Sequence, residues 1–408
     1  MSIHPPKPYS VRPHSMEQFS IVPDAYIIVF KPETKQETAL SHYNEIEDIQ
    51  QSEISHTNQN LDYGVIHKYE IGGFKGYSGK FSSSVIRIIQ TYEEVDYIEQ
   101  DKYVQAASIQ NKAPWGLARI SHRKRLNNMT FDKFIYEDDG GEYVTVYILD
   151  TGIYEEHEDF EDRASWGVNF LRNSPDIDID GHGTHSAGII GGKIHGVAKM
   201  AKLVAVKVLD DHGTGTVSTV IAGINWVSKS HQYNIQQSCL HPLDSIYKGA
   251  VATLNFFTTK SVALNQAVNI GTYHGITIVV PAGNTKVNAC EYSPASATEA
   301  ITVGASTYYD AGTSFSNFGD CVDIYAPGQN ILSAWNSGRH AKKVHSGTSE
   351  AASHVAGLAA YYASMRKGQS TPEYIKETIS LTSTNKTITV AYPSGLHSAE
   401  PLAFYDIN

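Results

Sequence analysis

Five stretches of the chain are apolar on both of the alternating faces that a strand presents: YVTVYILD (143–150), LVAVKVLD (203–210), AVATLNF (250–256), ITIVVPAGN (276–284) and AITVGAS (300–306). A strand with one wet face alternates polar and apolar residues. Strands that lack the alternation are buried on both sides, the condition of a parallel sheet covered by helices. The intervening segments HGTHSAGIIGG, TVIAGINWVSKS and ALNQAVNIGTYHG read as the covering helices. The order predicts an α/β fold with a mostly parallel central sheet, in which ligands gather just past the carboxyl ends of the strands.

The preceding part of the chain reads differently. AYIIVFKP from Ala25 is a strand and YNEIEDIQ part of a polar helix. KYEIGGFKGYSGKFSSSVIRIIQ is strand, Gly-rich turn and amphipathic helix, and VDYIEQDKYV a closing strand. This predicts a small α+β domain over residues 25–105, after a polar segment 1–24 and before the α/β domain 106–408, with AASIQNKAPWG as the linker. The 408 residues suffice for a substantial core, and 41% hydrophobic with 18% charged residues is the balance of a folded chain. A formal charge of −11 without a basic stripe argues against a nucleic-acid partner. No run reaches the roughly 18 apolar residues of a membrane span, and the N-terminus lacks the apolar core of a secretory signal. Three cysteines, Cys239, Cys290 and Cys321, are too few for a disulfide scaffold and too scattered for a zinc knuckle.

Chemistry-bearing residues stand just beyond the strand ends. Asp150 closes YILD, His182 opens the helix of DGHGTHSAG, Asn284 follows VVPAG, and Ser349 lies in SGTS ahead of the small-residue run EAASHVAGLAAYYAS. Each alone is ordinary: Asp150 and Asn284 suit turns, Ser349 suits a helix cap, and His182 with His185 could share a helix face toward a metal, for which no third ligand appears. Together an acid, an imidazole, a serine and a side-chain amide meet the needs of nucleophilic acyl transfer. A lipase-like hydrolase is excluded, because there is no G-x-S-x-G elbow and the acid, His, Ser order differs.

DTG, GHGTHSAG, PAGN and GTSxAAxHVAG in this order resemble the subtilisin-like serine proteases. GVAKMAKLVAVKVLDDHGTG, YSPASATEAITVGAS and TSFSNFGDCVDIYAPGQNILSAW are similar to the proteinase K subfamily and its fungal vacuolar relatives. The N-terminal module, in GGFKGYSGKFSSSVI and VDYIEQD, resembles the ferredoxin-like inhibitory propeptide of the same family. The resemblance implies a serine endopeptidase made as a zymogen, cut between Gln105 and Ser108, with Asp150, His182 and Ser349 as triad and Asn284 in the oxyanion hole. It further implies substrate binding by Gly213, Thr214 and Gly215 and by the cleft segment Asn255, Phe256 and Phe257. A structural calcium on Asp323 with the carbonyls of Thr298 and Ala300 is implied too, no cofactor being required for the chemistry. Cys290 and Cys321 pair in the resemblance, leaving Cys239 free. The partners implied are protein or peptide substrates and the chain's own propeptide, the state a monomer, and the location extracellular or vacuolar.

The pattern also breaks. Asn255, Phe256, Phe257 and Thr258 stand where the family has Ser-Leu-Gly-Gly, Pro281 where it has alanine, and Ser353 where it has proline. Glu350 replaces a methionine directly behind the nucleophile. A buried carboxylate must be protonated, paired or turned to solvent, and an anion there opposes oxyanion formation. The second reading of the sequence is therefore a catalytically impaired relative that persists as a binding module.

Overall fold

In the computed structural model, residues 21–57, 63–102, 108–172, 174–240, 246–391 and 397–406 are described. The chain divides into two compact units, Met1–Ala106 and Ala107–Asn408.

In the N-terminal unit, β1 (Ile21–Phe30), α1 (Gln36–Thr57), β2 (Gly64–Ile71), β3 (Phe74–Lys80), α2 (Ser83–Ile89) and β4 (Val95–Lys102) build a sheet of order β2-β3-β1-β4 in which every pairing is antiparallel. β1 begins before the expected boundary at Ala25. Ile21 pairs with Lys102, and an irregularity at Pro23–Asp24, where Asp24 has φ +59°, separates it from the register that resumes at Tyr26. One apolar cluster, with Ile28, Phe30, Tyr43, Ile46, Tyr77, Phe81 and Val85, joins the helices to the sheet. Buried among it, His42 is held between Glu94 (Nδ1 to Oε1, 2.8 Å) and the Tyr77 hydroxyl (2.9 Å).

The second unit opens with β5 (Ser108–Asn111), α3 (Trp115–Ile120) and β6 (Lys133–Tyr136), so part of the expected linker is a strand paired with β6. There follow β7 (Val144–Asp150), β8 (Ala164–Asn169), α4 (His182–Gly191), β9 (Lys202–Lys207), α5 (Val217–Leu240), β10 (Gly249–Leu254), β11 (Thr258–Thr259), α6 (Val262–Tyr273), β12 (Ile276–Pro281) and β13 (Tyr292–Ser293). The unit closes with β14 (Ile301–Ser306), β15 (Ile324–Pro327), β16 (Ile331–Ala334), β17 (Lys342–His345), α7 (Thr348–Met365), α8 (Pro372–Thr382), β18 (Thr384–Ala391) and β19 (His397–Leu402). The main sheet has the order β18-β19-β15-β14-β12-β10-β7-β9-β8, parallel throughout except for the β18–β19 pair.

The unbroken apolar runs are explained by two cores, one on each face. Along β7, Val144, Val146 and Ile148 enter the core beneath α4 and α7, while Tyr147 and Leu149 enter the core beneath α5 and α6. α7 is buried along nearly its whole length, which its small residues Ala351, Ala352, Ala356, Ala359 and Ala360 permit. Register brings Leu149 of β7 opposite Leu254 of β10, and Thr253 opposite Val279 of β12. The carboxyl ends of these three central strands therefore open on one edge.

Candidate active site

Asp150 ends β7, is fully buried, and receives the Thr151 backbone N–H on Oδ1 (2.8 Å). Its carboxylate takes the His182 Nδ1–H, with Nδ1 2.8 Å from Oδ1 and 2.9 Å from Oδ2. That bond fixes the tautomer and leaves Nε2 as the free base. Burial lowers the proton affinity of the imidazole. The Asp150 charge, with smaller contributions from Glu350 and Asp180, more than offsets this and raises the His182 pKa above the ordinary value.

His182 is the first residue of α4, and the position of that helix is fixed by a residue that sequence reading missed. Asp178, buried, accepts from Thr151 Oγ1 and Gly181 N on one oxygen (both 2.8 Å), and from Thr184 N (2.9 Å) and Thr184 Oγ1 (2.6 Å) on the other. It ties the helix start to the end of β7. Gly183 completes the fit, since a Cβ there would overlap the Gly152 carbonyl oxygen. The recoverable signal was an aspartate three residues before Gly181 in DIDGHGT, placed to accept backbone N–H groups at the helix start.

Ser349 lies in the first turn of α7, where backbone N–H groups lack helical acceptors and the helix dipole is positive. Its hydroxyl donates to the Asn255 carbonyl (3.1 Å) rather than to His182, and it is 7% exposed. Asn284 follows the end of β12. Its Oδ1 accepts from both the backbone N–H (2.9 Å) and the hydroxyl (2.8 Å) of Thr348, which assigns the amide orientation and leaves the Nδ2 donors for a ligand.

The cleft segment turns two departures into one arrangement. Asn255 is buried, receives Thr253 Oγ1 on Oδ1 (2.7 Å), and donates from Nδ2 to Ser353 Oγ (3.1 Å), whose hydroxyl in turn donates to the Ser349 carbonyl (2.8 Å). The asparagine in place of serine and the serine in place of proline thus satisfy each other. Phe256 packs against the α5/α6 core, while the more exposed Phe257 meets Tyr292 edge-on, with ring centroids 6.0 Å apart. Thr258–Thr259 pairs with Tyr292–Ser293 as a short ribbon. Gly213, Thr214 and Gly215 are exposed in a turn closed by Asp210, whose Oδ1 accepts from His212 N and Thr214 N (both 2.9 Å).

Glu350 is 1% exposed. Burial pushes its pKa up, but the hydrogen bond from His345 Nδ1 (2.8 Å) and the nearby His185 and His182 imidazoles hold it below the usual carboxylate value. His345, the last residue of β17, was not read from the sequence. The signal available was the demand for a partner by a buried glutamate, with a histidine five residues before it.

The expected calcium ligands are engaged by a lysine. The groups named for the ion, Asp323 Oδ1 and the carbonyls of Thr298 and Ala300, converge on the ammonium of Lys376 at 3.2, 3.3 and 2.7 Å. A cation is already present there, covalently part of α8. A second one on the same oxygens would be repelled by it, so the residues as arranged do not fit a metal ion. Cys290 and Cys321 form a disulfide, and Cys239 is an exposed thiol. Among the described residues no helix is long and apolar enough to cross a membrane. The expected cut between Gln105 and Ser108 falls on residues 105–107, which lie outside the described ones.

Residues 141–396 match the Subtilase family, Peptidase S8, and residues 25–107 match Peptidase inhibitor I9. Subtilisin-like protease 8 of Trichophyton verrucosum is 44% identical over 358 residues, covering 85% of this chain and 73% of the relative. Alkaline protease 2 of Aspergillus fumigatus is 41% identical over 390 residues, covering 90% and 79%. A crystal structure of a cold adapted subtilisin-like serine proteinase superposes with a TM-score of 0.63 at 34% identity, covering 73% of this chain and all of that one. A buried acid–imidazole pair at the edge of a parallel sheet, a serine at the head of a buried helix and an inhibitor-type N-terminal unit occur here in a chain of the subtilase family, to which this protein belongs.

Proposed function

We propose that this subtilisin-like serine protease works through Ser349 as nucleophile, His182 as general base and then general acid, and Asp150 as the group that holds the imidazole. The observation that carries the reading is the two-oxygen grip of the buried Asp150 carboxylate on His182 Nδ1, which holds the proton on that nitrogen and leaves Nε2 for proton transfer. Ser349 Oγ attacks the peptide carbonyl carbon and its proton passes to Nε2. The oxyanion is met by Asn284 Nδ2 and the Ser349 backbone N–H, and His182 returns the proton to the leaving amine. Water then repeats the sequence on the acyl-enzyme. Gly213–Gly215 offers exposed backbone to an extended substrate, and Phe257 forms part of the cleft wall.

The N-terminal unit is the inhibitor-type propeptide of a zymogen. Cleavage between Gln105 and Ser108 by the chain's own active site would release it. The Cys290–Cys321 disulfide supports maturation in an oxidising compartment, extracellular or vacuolar. No observation favours a binding module without turnover, because Glu350, the residue that prompted that reading, is paired rather than left as a bare charge. A fluorophosphonate probe should label wild type at Ser349 and fail to label Ser349→Ala, and only wild type should split itself near residue 106. The same cut in both proteins would assign the cleavage to another protease.

A further inference from the structure

Glu350 stands directly behind the nucleophile, in the first turn of α7, where the positive end of the helix favours an anion. The same field is what an oxyanion at Ser349 would use. Two negative charges cannot both draw on it without cost, so the arrangement calls for a counter-charge. His345 is placed to supply one. Its Nδ1–H donates to Glu350 Oε1 (2.8 Å), and its side chain is 43% exposed, within reach of solvent protons. Its ring stands edge-on to the His182 ring, with centroids 6.0 Å apart and planes at 84°, and edge-on to His185 at 5.8 Å. Beside Asp150–His182 there is thus a second acid–imidazole couple.

His185 cannot take over the role without a proton on both nitrogens. Its Nε2–H is directed at the carbonyls of Ile331 and Lys343 (both 3.1 Å), so neutral His185 turns a bare Nδ1 lone pair toward Glu350 Oε1, 3.5 Å away. Burial also drives its pKa down to about 4. The other charged or titratable groups around the couple are accounted for. His354 donates from Nδ1 to the Glu350 backbone carbonyl (2.8 Å), and Asp180 accepts the His182 backbone N–H (3.1 Å). On β17, Lys343 holds its ammonium over the Trp335 ring at 3.7 Å, and Lys342 lies at the far end of the strand. Glu350 Oε2 has no hydrogen-bond partner, so the carboxylate depends on the His345 bond.

We propose that His345 is a positioning residue which, when protonated, neutralises Glu350 and keeps its charge from opposing the oxyanion at Ser349 and from holding the proton on His182. The proposal rests on the serine-protease reading above. The couple makes the charge behind the nucleophile adjustable, where an apolar residue would leave it fixed at zero.

The test is a double-mutant cycle of His345→Gln and Glu350→Gln in the full chain, read as kcat, KM and the pH profile of kcat/KM on a peptide substrate, with the rate of fluorophosphonate labelling alongside. Glutamine at 345 keeps an N–H donor but cannot carry charge. His345→Gln should lower kcat on the order of tenfold with little change in KM, and should move the acid limb to higher pH, because an uncompensated Glu350 raises the proton affinity of His182. Adding Glu350→Gln should restore most of the loss and bring the acid limb below that of wild type. If the double variant is as impaired as His345→Gln and the acid limb does not move, the couple only packs the helix start and the proposal is overturned. Wild type that takes no label at Ser349 would instead remove the protease reading, and the proposal with it.

Discussion

Two regions of the catalytic unit carry an acid that the chain itself must balance, and they do so under opposite conditions. Behind the nucleophile, Glu350 is 1% exposed and answered by one imidazole. At the edge of β15, Asp323 is about a third exposed, and Lys376, equally accessible, answers it while also donating to two backbone carbonyls. Each acid faces one basic side chain. Burial differs, and it decides what each pair is worth: a charge removed from water depends on its partner, whereas a charge in contact with water has the solvent as a substitute.

The largest expected effect is therefore at the buried pair. Replacing His345 with leucine leaves Glu350 without a hydrogen bond on either oxygen. Breaking a fully buried pair costs about 3–5 kcal/mol. Because His345 is 43% exposed, water can partly replace it, and a loss of about 2–3 kcal/mol is expected. Denaturant unfolding of the Ser349→Ala background, with and without His345→Leu, measures it without self-digestion. A loss below about 0.5 kcal/mol would mean that burial does not separate the two regions.

A second comparison uses pH. Glu350 has a native pKa below the ordinary carboxylate value, so on acidification the unfolded chain takes up this proton first. The stability contributed by the pair is present above about pH 4.5 and is lost as pH falls through the lowered native value. The buried histidines His185 and His354, driven down to about 4 by burial, act in the same direction from a higher starting point: their unfolded forms protonate near 6.5, so stability is lost between about 6.5 and 4. Stability of the Ser349→Ala protein should fall in both windows. Glu350→Gln should flatten the lower window and, by removing a charge that favours protonated His185 and His354, steepen the upper one; an unchanged slope below pH 4.5 would mean that the carboxylate is already protonated at neutral pH.

These two regions also mark where the sequence stops being legible. The sheet was readable because strands buried on both faces lose their alternation, and the site residues because each stands at a strand end or helix start that glycines punctuate. Asn255 and Ser353 were visible as separate oddities. That they bond to each other depends on β10 ending beside the first turn of α7, a proximity that a sequence separation of 98 conceals. Glu350 was legible as a problem whose solution lay five residues away, at the end of a strand that no apolar run announces, since β17 is KKVH. Lys376 was not legible at all: a lysine on a helix that also exposes Leu381 looks like any solvated residue until α8 brings it to Asp323.

Lys376 carries the smallest expected effect and the sharpest test of the comparison. Its ammonium reaches Ala300 O at 2.7 Å, Thr298 O at 3.3 Å and Asp323 Oδ1 at 3.2 Å, while Asp323 Oδ2 is taken by the Thr302 N–H at 2.8 Å. With about a third of both side chains in water, the ion pair is worth no more than about 1 kcal/mol, and Lys376→Met, which keeps the apolar stem, should cost about 0.5–1 kcal/mol. Because the cation is tethered, a chelator should leave the melting temperature of the wild type unmoved, and added calcium should not raise it. Lys376→Met frees the two carbonyls and the carboxylate oxygen, so calcium at millimolar concentration should recover part of that variant's loss if the oxygens still lie at ligand spacing. A wild type that melts several degrees lower in chelator would show that the lysine leaves these oxygens in solution and a metal replaces it. The region would then resemble the nucleophile's in depending on a partner that a static charge count does not reveal.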